Sequence, residues 1–180
     1  MLTITVPGME SYDPLTETFF TTKEQKLTLE HSLLSIAKWE AKWGKPFLDR
    51  KAPKTLEESR DYIRCMTITQ NVDPLVYLAL TEQNYNDILA YMENPMTATW
   101  FSQDSRPPGR EIVTAEVIYY YMVALQIPFT CEKWHFNRLM TLIRVCNEKN
   151  KPPKKMGKKA IMSKNQALNA ARRQRLGSMG

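Results

Sequence analysis

Glycine is scarce in this chain, six in 180 residues, and none falls in a Gly-rich phosphate-cradling loop. A nucleotide-binding fold of that kind is not expected. Cysteine is scarcer still: Cys65, Cys131 and Cys146 are odd in number and far apart, which reads as reduced thiols rather than a disulfide scaffold. A long apolar run is also missing. The best stretch, Ile112 to Ile127, is interrupted by Thr114, Glu116 and Gln126, and falls short of the roughly 20 apolar residues a bilayer requires. Met1 to Pro7 lacks a cationic start and a continuous apolar core, so no secretion leader is expected there. The last absence is acid at the C-terminal end. Residues 151–180 hold nine Lys and Arg and no Asp or Glu, against 25 bases and 19 acids in the whole chain.

What remains is ordinary globular material, 43% hydrophobic and 24% charged, divided by charge into two parts. Residues 1–150 carry 16 bases and 19 acids, a net of −3, while the tail is +9. A division of that sort points to a tail that meets an acidic partner or polyphosphate, or folds back on its own acidic body.

The pattern predicts a mainly α protein: a small N-terminal β element over residues 1–27, a helical body over 28–150, and a basic helical tail over 151–180. Leu2 to Val6 alternates apolar and polar residues before Pro7-Gly8, and Phe19 to Leu29 can supply a second strand or a hairpin. From Thr28 the period turns helical, with Leu29, Leu33, Ile36, Ala37 and Glu40 on one side and Gly44 and Pro46 as the stop. Thr55 and Glu58 match a capping box for a second helix with Leu56, Ile63 and Met66 inward. Asp73-Pro74 opens a short buried helix, and Tyr85 to Met92 another. Glu111 to Leu125 has no polar face, so it is expected as the central buried helix. Thr130 is expected to cap a last body helix reaching Asn147, with Phe136, Leu139, Met140 and Ile143 inward, and Ser163 a tail helix over 165–176.

Chemistry-bearing constellations are thin. Cys131 and His135 share a helix face, but Cys146 lies about 16 Å further along a helix and no third ligand is close in sequence. No metal or cofactor is expected. His31 between Glu30 and Ser32 makes no catalytic pair, and no Gly-x-Ser-x-Gly motif occurs, so the reading is not an enzyme. The basic tail suits non-specific nucleic-acid contact, although it lacks aromatic residues for stacking. Four tryptophans and eight tyrosines point to a filled core and to interfaces. Candidate partner-binding residues are Trp39, Trp43, Trp100 and Phe101 in the body, with Lys154, Lys155, Lys158, Lys159, Arg172 and Arg173 in the tail. For Trp39, Trp43 and Trp134 a filled core is the favoured reading.

Three stretches together resemble a family of tailed-bacteriophage proteins. They are Leu29 to Trp43 followed by Lys45-Pro46-Phe47-Leu48, Ile127 to Leu139, and Pro152 to Met156 continued by Asn165 to Arg173. The resemblance spans about residues 29–176. It implies a tail assembly chaperone that binds the tape measure protein in the host cytoplasm, with no catalytic residues. The competing class is a virion protein of the head–tail neck, whose basic tail would contact packaged DNA.

Overall fold

A computed structural model describes residues 1–13, 18–49, 51–99, 101, 112–152 and 157–177. It divides into two units, Met1–Glu148 and Lys149–Gly180. The protein is mainly α-helical with a small N-terminal β element, as its sequence pattern requires.

The β element is one interrupted ribbon. β1 (Leu2–Val6) pairs antiparallel with β4 (Gln25–Leu29), and β2 (Met9–Asp13) with β3 (Thr18–Thr22). Val6 faces Gln25 and Met9 faces Thr22, so two residues on each side separate the pairs and the register carries over unshifted. Pro7-Gly8 is therefore a break within the ribbon rather than its terminal turn. Glycine is required there: a Cβ on Gly8 would sit 2.7 Å from the Thr22 carbonyl oxygen. Period-two alternation buries Ile4 and Val6 on β1 and Leu27 and Leu29 on β4.

α1 (Leu33–Trp43) starts four residues later than the helical period suggests, because Thr28 and Leu29 belong to β4. Tertiary bonds explain the difference. The Ile68 amide donates to the Thr28 carbonyl, and the Glu30 amide donates to the Met66 carbonyl, holding this stretch extended. Ser32 and Ser35 then cap the helix reciprocally, and Gly44 ends it in the left-handed conformation with φ 62°. α2 (Leu56–Met66) opens with the Thr55–Glu58 capping box and buries Glu58, Asp61, Tyr62, Ile63 and Met66. Its Leu56 is exposed, contrary to the inward place expected of it. A 3-10 turn at Pro74–Leu78 is N-capped by Asp73, and α3 (Glu82–Glu93) is capped by Thr81 and Asn84. α3 packs on β1, where the Asn84 side-chain Nδ2 donates to the Thr5 carbonyl.

α4 (Ala115–Ala124) is shorter than expected, and it is not the centre of the body. Ala115, Ile118 and Met122 are fully buried, but Tyr120, Val123 and Ala124 are exposed. The central helix is α1, which packs against α2, α4 and a 3-10 turn at Phe129–Lys133. Thr130 lies inside that turn and caps no helix. Trp134 is extended, Ser32 and His135 form an isolated antiparallel bridge, and the Phe136 amide donates to the His31 carbonyl. Those contacts delay α5 to Phe136–Asn150, with Phe136, Leu139 and Ile143 buried and Met140 half-buried.

The second unit contains α6 (Lys158–Leu176), which begins seven residues before the expected start and holds Ser163 in its interior. Its N-cap is Gly157, which offers no side chain, and Gly177 ends it in the left-handed conformation. No described helix is long and apolar enough to cross a membrane.

Candidate protein-interaction surface

The outer face of α4 is an exposed, largely apolar face on a defined scaffold. Glu116, Tyr120, Val123 and Ala124 recur at i, i+4, i+7 and i+8 on the solvent side. Tyr120 is 67% exposed and Val123 60%. Behind them, Ala115, Ile118 and Met122 anchor the helix to the core.

Two devices hold this helix. At its start the Thr114 side chain makes no capping bond, and the carboxylate of buried Glu40 on α1 takes that role. One Glu40 oxygen accepts from the Ala115 amide and the other from the Phe47 amide, each at 2.7 Å. At its end Gln126 adopts φ 54°, and the Ile127 amide donates to the Met122 carbonyl at 2.8 Å. The chain thereby reverses at Pro128 into the 3-10 turn, which presents Phe129 at 55% exposure. The Tyr119 ring, 6.0 Å from that of Phe129, joins the turn to the helix. The Tyr119 hydroxyl donates to the Glu132 carboxylate at 2.7 Å. Burial, reinforced by that bond, holds the phenol protonated well above its usual range. The result is exposed Tyr120 and Val123 on α4 and exposed Phe129 on the turn that Tyr119 joins to it, with two carboxylates, Glu116 and Glu132, on the same two elements.

The expected anchors lie elsewhere. Trp39 is 1% exposed; its indole N–H donates to the Glu58 carbonyl at 2.9 Å, and its ring meets Phe47 edge-on. It is a core residue with no surface for a partner, which corrects its candidacy. Trp43 is half-buried and its N–H donates to Asp61 at 2.8 Å, so it serves an ion-pair cluster. Lys42 and Arg64 also bond Asp61. Burial opposes the Asp61 charge, but the bonds from Lys42, Trp43 and Arg64 outweigh it and hold the carboxyl below its usual range. Phe101 is half-buried beneath the Arg144 guanidinium, 4.1 Å from the ring centre. Trp100, Lys154 and Lys155 lie outside the described residues. Lys158 and Lys159 form the first turn of α6, and Arg172 and Arg173 are exposed near its end.

Tyr120, Val123 and Phe129 were not legible as surface residues. The available signal was the excess of apolar residues over what one buried stripe needs, which fits a surrounded helix and an exposed one equally well.

The two histidines belong to a buried polar network. His31 Nδ1 and the Tyr62 hydroxyl are 2.6 Å apart, His135 Nε2 lies 3.0 Å from the Tyr91 carbonyl, and the Tyr91 hydroxyl donates to Glu30 at 2.7 Å. Burial, aided by nearby His135, lowers the His31 pKa to about 4; burial also lowers that of His135. Both are therefore neutral at neutral pH. The network joins the β4–α1 connection to α2, α3 and the residue that precedes α5. Cys131 sits in the 3-10 turn, not on one helix face with His135, and no metal-ligating group of three forms among the described residues. Open hollows of about 260, 340 and 190 Å³ indent the surface, and neither histidine lines any of them.

No family model matches the chain, and no curated protein or solved structure matches it either.

Proposed function

We propose that this chain is a non-catalytic tail assembly chaperone of a tailed bacteriophage. It acts in the host cytoplasm and covers apolar stripes of the tape measure protein before tail subunits polymerise around it. The likeness of residues 29–176 to such phage proteins names the class. The observation that carries the binding role is the exposure of Tyr120 and Val123 on the anchored helix α4 and of Phe129 on the turn that follows it. An amphipathic partner helix laid along this surface would bury those side chains, and aromatic residues are favoured anchors in such contacts. The carboxylates of Glu116 and Glu132 on the same two elements favour partner helices flanked by Lys or Arg.

The test is co-expression with the tape measure protein from the same genome. The full chain should co-purify with it, and Tyr120→Ser combined with Val123→Ser should reduce recovery at least tenfold while leaving the melting temperature within about 3 °C. Mass spectrometry of infected cells should find the chain in lysate and not in purified virions. A stoichiometric copy number in virions would instead favour the head–tail neck reading, for which the basic tail is the motivating feature.

A further inference from the structure

We propose that α6 is a binding element for duplex DNA that lies in the major groove, independently of what the body binds. The unit that contains it has an overwhelming single-sign charge: nine bases and no acid over residues 151–180. Every described side chain from Met162 to Gly177 is exposed.

The arrangement of these residues around the helix separates a phosphate-binding role from simple stickiness. At 3.6 residues per turn, Asn165, Asn169 and Arg172 recur at i, i+4 and i+7 and form one line. Lys164 and Arg175, three turns apart, lie together on one flank of that line. Gln166 and Arg173, two turns apart, lie together on the other. Ser163, Ala167, Ala170 and Gln174, at i, i+4, i+7 and i+11, form a rear side with no charge at all. A helix seated in a groove meets phosphates of both strands on its two flanks and base edges along its centre. Two amides and Arg172 at the centre, with Lys164 and Arg175 on one flank and Arg173 on the other, match that demand. The major groove of B-DNA is about 12 Å wide and admits a helix of about 10–12 Å diameter.

Two alternatives fit less well. A membrane-surface helix needs a continuous apolar face, whereas here Met162, Leu168 and Leu176 are interspersed with Asn165, Asn169 and Arg172 on one side. An acidic protein surface would be met by one basic stripe, not by cations on two flanks. The helix start adds a further demand for anions. Gly157 supplies no capping acceptor, and the first turn contains Lys158 and Lys159 and no acid, against the positive end of the helix dipole.

The experiment uses the full chain and a fluorescein-labelled 20-base-pair DNA duplex of mixed sequence, with anisotropy read from 50 to 300 mM NaCl. Binding should weaken linearly on log–log axes as counterions are released. Substituting Lys164, Arg172, Arg173 and Arg175 together by Ala should weaken binding at 50 mM salt more than tenfold and lower the magnitude of the salt slope by about 3. Ala favours helix, and circular dichroism should confirm that α6 persists in this variant. A charge-matched pair then isolates the face: Arg172→Ala with Arg173→Ala should cost several-fold more than Ala167→Glu with Gln174→Glu on the rear side. Equal losses in that pair would overturn the proposal, because net charge alone would account for binding. Equal affinity for single-stranded DNA or for duplex RNA would overturn the groove placement. Displacement of the duplex by polyglutamate at matched charge would overturn it in favour of an acidic protein partner.

Discussion

His31 is the residue whose protonation the fold opposes most clearly. Its pKa falls from 6.5 to about 4 on burial, so the folded state binds fewer protons than the unfolded chain between those values. Stability therefore rises with pH through that window, is complete above about pH 6.5, and declines as pH falls toward 4. The loss amounts to about 3 kcal/mol. Thermal melts at pH 7 and pH 4.5 should differ accordingly, and His31→Gln should flatten the dependence even where it lowers stability overall. An unchanged slope in that variant would place the acid sensitivity in other groups. Glu40 is the second residue with a disproportionate role. Replacing it by Ala leaves the amides of Phe47 and Ala115 without their acceptor and should cost about 2–4 kcal/mol, read from denaturant midpoints. Hydrogen exchange should quicken first at the start of α4. Neither role is readable from sequence, where Glu40 is one of 19 acids and its two donors lie 7 and 75 residues away.

At the scale of elements, local chemistry predicts best where the partners are local. The Thr55–Glu58 box, the Gly44 stop and the Asp73 cap all form as their motifs imply, since each closes within a few residues. Thr55→Ala should accordingly cost about 1 kcal/mol in urea unfolding. The starts of α1 and α5 were misplaced for the opposite reason. The stretch 28–32 also bonds to residues 66–68 at and beyond the end of α2 and to residues 135 and 136, and propensity contains no record of such contacts. α4 shows the same limit for burial. Its composition calls for an apolar environment on every side, and the body supplies one on the inner side only.

At the scale of the whole molecule, charge and core divide at nearly the same place. Among the described residues all buried hydrophobic side chains lie between Ile4 and Ile143, and all nine bases of the acid-free segment follow Asn150. Ending the chain after Asn150 should therefore leave the melting transition of the body within about 2 °C, because none of the described core side chains is removed. Loss of cooperative melting would show that the tail completes the core.

The sequence by itself determined the mainly helical class, the strand alternation of β1, the short-range caps and the charge division. These are settled by periodicity, by side-chain to backbone bonds a few residues long, and by counting. Tertiary structure alone decided that α1 is the central helix and that Tyr120, Val123 and Phe129 face solvent. Burial depends on which surfaces meet across tens of residues, and a sequence pattern specifies that a face is apolar without specifying what covers it.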